Sequence, residues 1–478
     1  MTSRLHGIIF YSKRGNKYFY DNKTGFIFPI GNGNFDYDKF QHKYHDKLGI
    51  QRDFDNIIDN ITALSVEDYL VKNANGFKQL ILEVTSRCNF RCSYCCYSNH
   101  YSMNRSHRSS DMTWETARKA IEYYMKNFKV VAKRNPLILP TVGFYGGEPL
   151  LNFGVVKEIV NYLKTNYEKF RFNFNITING SLFTEGIQDF LVKNDFSILL
   201  SLDGDRETHN RNRVKIDRIS TFDKIMNNID LFRENYPNYC KFGISGCYNL
   251  KTNFSDVEKF FTDERLFVVT YNQIDPNNTS YYSCFKTKDF SRFEYLYNKF
   301  ESKFARYVEE QGKYSDIKDF LYSMIGRKYL NSSYHSVLKG CRSYISPFTG
   351  TCIPGEKLYV SINGDIHICE KINHNHPIGD VDRGLNYQYI ADLINKYNVS
   401  VCVKCESCSV QKYCSLCLAK CATNTDFCKA QNYCDNFEKS ISIMLHKFVS
   451  LLENNPEIFK RITINYYTNI LDTVGEQF

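Results

Sequence analysis

The 478-residue sequence lacks the features that would place a protein in a membrane or outside the cell. It has no apolar stretch of about 18 residues, the length that a membrane-spanning helix needs. It does not open with the charged and then apolar segment that directs secretion. It also has no long basic block, although its formal net charge is +9, so nucleic acid is not indicated as a partner. We therefore expect a cytoplasmic protein that binds neither membrane nor nucleic acid.

Cysteine is absent from the first 75 residues and abundant afterwards. The chain has 18 cysteines, and without a secretion signal they are better explained as thiolate ligands than as disulfides. A first group lies between Cys88 and Cys96, and eleven cysteines lie between Cys341 and Cys434. This distribution divides the chain into an amino-terminal, a central and a cysteine-rich carboxyl-terminal region.

The first cysteine group reads Cys-Asn-Phe-Arg-Cys-Ser-Tyr-Cys, which gives Cys88, Cys92 and Cys95 a C-x3-C-x2-C spacing with Tyr94 before the last cysteine. Three thiolates can hold three irons of a [4Fe-4S] cluster and leave the fourth iron open. A structural zinc knot is the alternative, but zinc prefers four closed ligands and no fourth is evident here. The motif resembles that of the radical S-adenosylmethionine superfamily. The resemblance implies that the open iron binds the cofactor, with Tyr94 among the residues that contact it. Reductive cleavage of the cofactor yields a 5′-deoxyadenosyl radical.

The central region alternates apolar or β-branched segments with helical ones. Residues 113 to 128 place apolar side chains at the 3.6-residue helical period. Six successive strand and helix units predict a parallel sheet, either doubly wound or a partial barrel. The resemblance selects a partial (β/α)6 TIM-like barrel, with ligands at the carboxyl ends of the strands. The candidate strands are 80–84, 141–145, 172–178, 197–202, 241–248 and 266–273.

The second candidate strand ends in Tyr145-Gly146-Gly147-Glu148. Paired glycines let the backbone approach a ligand closely, and Glu148 can accept a hydrogen bond from an ammonium group. A Gly-Gly pair alone is usually only a turn. At this distance from the cysteine triplet, the segment resembles the one that binds the amino group of S-adenosylmethionine.

Polar residues also follow the third and fourth candidate strands. The resemblance places Asn179 at the wall of the cofactor pocket and Ser201 and Asp203 near the ribose. It places Arg213 on the cofactor carboxylate, which an arginine can bind with two parallel hydrogen bonds. The alternative is that these residues form ordinary strand-end turns and a surface arginine.

The carboxyl-terminal cysteines resemble the SPASM extension of peptide-modifying radical enzymes, which holds two auxiliary [4Fe-4S] clusters. With the first group, this implies three [4Fe-4S] clusters. The resemblance gives the first auxiliary cluster Cys352, Cys369 and either Cys421 or Cys417, and it gives the second Cys405, Cys408, Cys414 and Cys434. Four cysteines do not fit the simple pattern: Cys341, Cys402, Cys417 and Cys428. Two four-cysteine zinc sites remain an alternative that the spacing permits. His367, His374 and His376 flank Cys369 and could serve as metal ligands, but we interpret them as exposed loop residues.

The first 75 residues predict a small sheet followed by helices. They resemble the winged-helix element that binds the leader of a precursor peptide as an added strand, although a capping subdomain is the alternative. The final segment is expected to be a helix that packs on the body. The predicted regions are 1–75 for peptide recognition, 76–284 for the barrel, 285–340 for a helical bridge, 341–440 for the SPASM domain and 441–478 for a helical tail.

Together these features predict an enzyme that forms thioether crosslinks in a ribosomally made precursor peptide, of the sactipeptide or ranthipeptide type. A flavodoxin- or ferredoxin-like protein is the expected reductant. Alternatives within the class are a carbon-carbon cyclising maturase and an anaerobic sulfatase maturase, which makes formylglycine. The non-enzymatic alternative is a zinc-binding interaction module on an α/β scaffold.

Overall fold

The computed structural model of the protein describes residues 5–46, 60–102, 106–276, 279–309, 319–326, 329, 343–346, 348–457, 460 and 464. Cys341 and residues 310–318, 327–328 and 330–340 of the predicted bridge lie outside these ranges.

The amino-terminal region contains the predicted small sheet. Three antiparallel strands, β1 (Gly7–Tyr11), β2 (Lys17–Asp21) and β3 (Ile27–Pro29), pair in chain order. Helix α1 (Tyr37–Gln41), a π-helical turn (His42–Asp46) and, after a gap, α2 (Ala63–Glu67) with a second π-helical turn (Asp68–Lys72) follow. Phe19 in β2 is fully buried with Tyr37 and Phe40 in a small core of its own. This core explains why so short a segment folds around its sheet.

Six parallel strands form the centre of the molecule, and each corresponds to a predicted one. Apolar side chains on alternate positions, such as Leu80, Leu82 and Val84, are buried against the surrounding helices. The strands are β4 (Gln79–Thr85), β5 (Thr141–Gly146), β6 (Asn173–Ile178), β7 (Ser197–Ser201), β8 (Phe242–Tyr248) and β9 (Val268–Gln273). The helices between them are α3 (Trp114–Ala132), α4 (Phe153–Asn166), α5 (Glu185–Lys193), α6 (Arg206–Asn212), α7 (Phe222–Asn235) and α8 (Phe254–Phe260).

These strands neighbour one another in chain order, from β4 to β9, and every pair is parallel. A doubly wound sheet would reverse its strand order at a switch point. The continuous order is that of a barrel-type sheet, which agrees with the predicted α/β class. The carboxyl ends of all six strands lie at one edge, which positions the candidate site.

The cysteine-rich region extends this same sheet, an arrangement that the sequence pattern did not predict. Strand β10 (Lys357–Val360) pairs in parallel with β4, Leu358 opposite Leu80. Three short antiparallel strands continue outward from it: β11 (Asp365–His367), β12 (Gly379–Asp380) and β13 (Gly384–Leu385). The result is a ten-stranded mixed sheet.

The remaining helices connect the regions. They are α9 (Thr287–Glu309), α10 (Asp319–Leu321) followed by a π-helical turn (Tyr322–Gly326), α11 (Tyr387–Val401), α12 (Leu418–Cys421) and α13 (Tyr433–Asn454). Helix α13 runs through residue 440, where the sequence places a region boundary. Its Ser450 and Glu453 accept hydrogen bonds from the Lys13 amide and the Tyr18 hydroxyl of the amino-terminal sheet, at 2.9 and 2.7 Å. The last helix therefore anchors the first sheet. In the described part of the chain, no helix is long and apolar enough to cross a membrane.

Candidate active site

The cysteine triplet lies in the loop that follows the carboxyl end of β4. Cys88, Cys92 and Cys95 are all half-buried. The Cys95 amide donates to the Cys92 carbonyl at 3.1 Å. The amides of Phe90 and Tyr97 point at the sulfurs of Cys88 and Cys95, at 3.4 and 3.5 Å. Amide groups aimed at sulfur stabilise thiolates, so the loop suits thiolate ligands.

The three thiols are close enough to influence one another. Burial raises the pKa of the Cys88 thiol to about 12, with further contributions from Glu148, Cys92 and Cys95. Burial likewise raises the pKa of Cys92 to about 11, although Arg213 opposes the shift. Such thiols stay protonated at neutral pH unless a metal replaces the proton.

No three His, Cys, Asp or Glu side chains among the described residues have the geometry of a single-ion site. A [4Fe-4S] cluster takes one thiolate for each iron, so its ligands do not share one point. The three adjacent, half-buried thiols with amides on their sulfurs are a donor set that fits such a cluster.

The glycine pair packs against the cysteine loop. A Cβ on Gly146, which has φ of 144°, would lie 2.1 Å from the Thr85 carbonyl oxygen, and one on Gly147 would lie 2.0 Å from that of Arg87. The Gly147 and Glu148 amides donate to these same two carbonyls at 2.9 and 2.8 Å. The glycines are thus required for the approach of the protein's own backbone. Their predicted contact with the cofactor remains a prediction.

Glu148 is only 1% exposed. Its Oε2 accepts a hydrogen bond from the Asn179 amide at 2.7 Å, and its Oε1 accepts one from the Leu150 amide at 3.2 Å. Burial raises the pKa of this carboxyl from 4.5 to about 7, although both amides oppose the shift. The Asn179 side chain donates to Asn89 Oδ1 in the cysteine loop at 2.8 Å. The structure therefore brings Glu148 and Asn179 together beside the cysteine loop, where an ammonium group would neutralise the buried carboxylate.

Arg213, Tyr94 and Asp203 form a second group, in which Asp203 is buried and the other two residues are half-buried. Arg213 Nη1 donates to the Tyr94 hydroxyl at 2.7 Å, and this hydroxyl lies 2.8 and 2.7 Å from the two Asp203 carboxylate oxygens. Arg213 Nη1 is 3.9 Å from Asp203 Oδ1. The Arg213 Nε is buried and has no hydrogen-bond partner among the residues that the structure describes. Arg213 is therefore not a surface arginine, and its unused Nε is the kind of donor that a ligand carboxylate would satisfy.

Cys247 and His209 also belong to this group, and the sequence analysis did not select either. The Cys247 amide, near the end of β8, donates to Asp203 Oδ1 at 3.1 Å. Burial and Asp203 raise the pKa of the Cys247 thiol to about 12. His209 Nδ1 lies 3.4 Å from the Asp203 amide nitrogen, which donates to it, and burial lowers the pKa of this histidine. The end of a strand was the one signal in the sequence that could have indicated Cys247.

Tyr145 and Ser201 lie on the same sheet. Tyr145 pairs with Glu83 across β4 and β5, and Ser201 pairs with Ser245 across β7 and β8. Both residues are half-buried. The predicted contacts of both with the cofactor remain predictions.

The cysteines of the carboxyl-terminal region form two neighbouring groups. In the first, burial raises the pKa of Cys369 to about 12, with contributions from Glu370 and Cys417. Burial also raises the pKa of Cys352, which Cys417 influences too. Of the two predicted alternatives, Cys417 is therefore the one that the structure places beside Cys352 and Cys369.

The second group includes a cysteine that the sequence analysis left unassigned. The Cys405 amide donates to the Cys402 carbonyl at 3.0 Å, and the Cys408 amide donates to the Cys405 carbonyl at 3.1 Å. A hydrogen bond with Cys405, together with burial, raises the pKa of Cys402. Burial raises the pKa of Cys408 to about 11, with contributions from Cys405 and Cys414. Cys402 thus lies with the predicted ligands of the second auxiliary cluster.

Cys421, Cys428 and Cys434 lie around these groups. Cys421 is buried, and its pKa is raised to about 12 by burial, then by Cys417 and Cys414. It therefore lies between the first and second groups. Cys428 and Cys434 are exposed.

The interpretation of the three nearby histidines as exposed loop residues is wrong for His367 and His376, whereas His374 lies in a turn and is half-buried. His367 lies in β11 and is 1% exposed, and His376 is 4% exposed. His367 stacks on His374 with ring centroids 4.5 Å apart, and His376 Nε2 lies 2.8 Å from the Thr423 carbonyl. The long-range pairing of β10 with β4 buries this segment, which its local polarity does not reveal.

Comparison with known proteins agrees with this arrangement. Residues 82–261 match the model of the Radical SAM superfamily. The uncharacterized protein MJ0907 of Methanocaldococcus jannaschii is 35% identical over 130 residues, 27% of this chain and 40% of that protein. The chain thus spans well under two thirds of that relative. A cysteine-type anaerobic sulfatase-maturating enzyme of Clostridium novyi is 25% identical over 77% of this chain and 96% of its own length.

The fold has a solved counterpart. The structure of anSMEcpe with bound AdoMet superposes with a TM-score of 0.59 at 18% identity, over 82% of this chain and 98% of that one. Residues 82–261 thus match a radical SAM domain, and the chain is similar to a sulfatase-maturating enzyme. Such a domain uses S-adenosylmethionine and a [4Fe-4S] cluster, and Cys88, Cys92 and Cys95 are the donor set that fits the cluster.

Proposed function

We propose that this protein is a radical S-adenosylmethionine enzyme that forms thioether crosslinks in a ribosomally made precursor peptide. The main support for radical chemistry is that the cysteine triplet, Glu148 and Arg213 lie close together beside the carboxyl end of β4. The proposed regions are leader recognition (1–75), radical domain (76–284), bridge (285–340), SPASM domain (341–440) and helical tail (441–478).

The chain's own residues would hold and orient the cofactor. The cluster and cofactor, when bound, supply a carbon radical that abstracts hydrogen from the substrate. Arg213 would bind the cofactor carboxylate through its unpartnered Nε, while Tyr94 holds its Nη1. Glu148 would accept the cofactor ammonium while the Asn179 and Leu150 amides hold the carboxylate in place. Tyr145, Gly146, Gly147, Ser201 and Asp203 complete the proposed pocket.

The amino-terminal region offers a place for the leader peptide. Strand β3 is an edge strand of the described three-stranded sheet, so one side is open to an added strand. Beside it lies a cavity of about 350 Å³ lined by Phe28, Phe35, Phe40 and Tyr44. Lys39, which is paired with Asp36 at 3.2 Å, and Lys43 lie at the same cavity. This chemistry fits a leader segment with an apolar anchor flanked by acidic residues.

The carboxyl-terminal groups are the basis of the thioether proposal. Cys352, Cys369 and Cys417 would hold the first auxiliary cluster, and Cys402, Cys405, Cys408 and Cys414 the second, with Cys421 and Cys434 as further candidate ligands. Three protein thiolates leave one position for a substrate thiolate, which is a soft ligand. A thiolate held beside the radical carbon would close a ring as an oriented intramolecular event, and the auxiliary cluster, when bound, would accept the one electron that this bond formation releases.

Product analysis tests this proposal. A cysteine-containing precursor incubated with the reconstituted enzyme should lose two hydrogens per ring, and the linked cysteine should resist alkylation. The matched Cys→Ser precursor should remain unmodified. Loss of two hydrogens with every cysteine still open to alkylation would contradict thioether formation and support the carbon-carbon alternative.

An anaerobic sulfatase maturase is the second candidate function. It is supported by the match that covers 96% of the Clostridium novyi enzyme. About a quarter of this chain lies outside that match, which covers 77% of it, so the relative leaves room for an additional recognition region. A sulfatase peptide that gained an aldehyde reactive toward hydrazides would establish this second function.

A further inference from the structure

A hairpin covers the outer side of the cysteine loop. It has no part in the candidate site described above. Residues 214–220 follow the half-buried Arg213 and turn back, with Val214 and Ser220 in an antiparallel bridge. The Arg91 amide donates to the Val214 carbonyl at 2.8 Å. The hairpin is therefore attached to the backbone of the cysteine loop itself.

A second contact places positive charge on the same loop. Phe90 and Lys215 form an antiparallel bridge. The exposed Arg91 guanidinium donates through Nη1 to the carbonyls of Cys88 and Phe90, at 2.8 and 2.7 Å. The charge of Arg91 thus lies on the peptide units that link Cys88 to Cys92.

Further cations of the hairpin have no described counterion. No described carboxylate lies within ion-pair distance of Arg91, Lys215 or Arg218. The hairpin's own Asp217 accepts from the Ile219 amide at 3.1 Å. On the adjoining helix α6, Glu207 is paired with Arg211 at 2.9 Å. The local field is therefore positive.

The hairpin also exposes two large apolar side chains. Ile216 is 60% exposed and Ile219 is 54% exposed. Arg218 occupies the turn between them with φ of 66°, and its amide donates to the Lys215 carbonyl at 3.0 Å. Exposed apolar residues ringed by charge are typical of a protein contact surface.

We propose that Arg91, Lys215, Ile216, Arg218 and Ile219 form the docking surface for an acidic one-electron carrier protein. This inference rests on the proposed function, since radical formation requires a cluster that accepts an electron. One electron passes from the reduced carrier to the cluster held by Cys88, Cys92 and Cys95. The carrier is oxidised by one electron, the cluster is reduced by one, and no covalent bond changes.

Two observations favour an acidic electron carrier as the partner of this surface. The surface is hydrogen-bonded to the loop that carries the cluster ligands, so a docked carrier would lie against the segment that holds the cluster. Its positive charge complements an acidic partner, which raises the association rate at low salt, and its two isoleucines supply apolar contact.

The test measures cluster reduction with a purified bacterial ferredoxin. The double variant Lys215→Glu with Arg218→Asn changes the surface charge, and asparagine tolerates the left-handed backbone at residue 218. The control is the double variant Lys126→Glu with Lys193→Gln. It makes the same change in net charge at exposed residues of α3 and α5, away from the proposed surface. Reduction is followed by electron paramagnetic resonance at increasing ferredoxin concentration, in low and high salt, and separately with dithionite.

The surface variant should need roughly tenfold more ferredoxin for half-maximal reduction at low salt, with a smaller difference at high salt. Its iron content and its reduction by dithionite should match wild type, as should the control variant in every assay. Unchanged half-saturation, or an equal loss with dithionite, would overturn the proposal. So would a loss of precursor-peptide affinity with normal ferredoxin response, which would assign the surface to the peptide.

Ile216→Ser with Ile219→Ser provides a second test that keeps the charge. This variant should raise the ferredoxin concentration needed for half-maximal reduction at both salt concentrations, because it removes apolar contact and leaves electrostatic steering intact. Normal saturation in both surface variants would contradict the docking site. The assay measures cluster reduction and does not depend on formation of a peptide product. Normal reduction by ferredoxin with no crosslinking would therefore contradict the proposed function but not the docking surface.

Discussion

Glu148 should stabilise cofactor binding at the expense of fold stability, and Glu148→Gln separates the two effects. The carboxyl is buried and accepts hydrogen bonds from two amides, yet burial raises its pKa from 4.5 to about 7. The folded protein therefore favours the protonated form. By linkage, the stability that this group contributes is complete below pH 4.5 and is lost as the pH rises to about 7.

The magnitude follows from the two pKa values. One pKa unit corresponds to about 1.4 kcal/mol, so ionising the buried carboxyl costs about 3 kcal/mol at pH 8 and below about 1 kcal/mol at pH 5. Glutamine has one acceptor oxygen where the carboxylate has two, which costs about 1 kcal/mol at either pH. Relative to wild type, Glu148→Gln should thus gain roughly 2 kcal/mol at pH 8 and be nearly neutral at pH 5.

Urea unfolding of the reconstituted enzyme without S-adenosylmethionine, at pH 5 and pH 8, measures this difference. Isothermal titration at pH 8 should show weaker binding of the cofactor to the same variant. Glu158→Gln, an exposed position on α4, is the matched control and should change neither quantity. A stability difference between wild type and Glu148→Gln that does not depend on pH would refute the reasoning.

Three further predictions follow from the site. Arg213→Lys keeps the positive charge but loses the planar guanidinium and its hydrogen bond to Tyr94. Cofactor affinity measured by equilibrium binding should therefore fall at least tenfold, while the iron content stays normal. Deleting residues 1–70 should preserve reductive cofactor cleavage but weaken precursor binding at least tenfold in fluorescence anisotropy, whereas equal affinity would favour a capping role. Cys352→Ala should stop crosslinking while uncoupled 5′-deoxyadenosine formation continues; crosslinking at the wild-type rate would remove Cys352 from the site.

The central strands and much of the site were predictable because their signals are local. Short apolar runs such as 80–84 and 197–202 each became a parallel strand. Glu148 was selected at a strand end, and Arg213 was selected through the family resemblance. Glu148 proves to be buried beside the cysteine loop, and Arg213 is half-buried there. Strand-end position is informative because parallel strands bring their carboxyl ends to one edge.

The rest depended on contacts between distant segments. No local pattern indicated that β10 would pair with β4. The paired residues Lys357 and Gln79 are about 280 positions apart in the sequence. That pairing buries His367, which its sequence surroundings suggested was exposed. The role of Gly147 was likewise visible only in the fold, where the Arg87 carbonyl occupies the space of a Cβ.

Reductive cleavage of S-adenosylmethionine tests the central claim most directly. The anaerobically reconstituted enzyme, reduced with dithionite, should produce 5′-deoxyadenosine and methionine in equal amounts, quantified by liquid chromatography and mass spectrometry. The variant with Cys88, Cys92 and Cys95 all replaced by alanine should retain its carboxyl-terminal iron, lose about four irons per chain and produce no 5′-deoxyadenosine. Continued 5′-deoxyadenosine formation by this triple variant would contradict the assignment of the radical cluster.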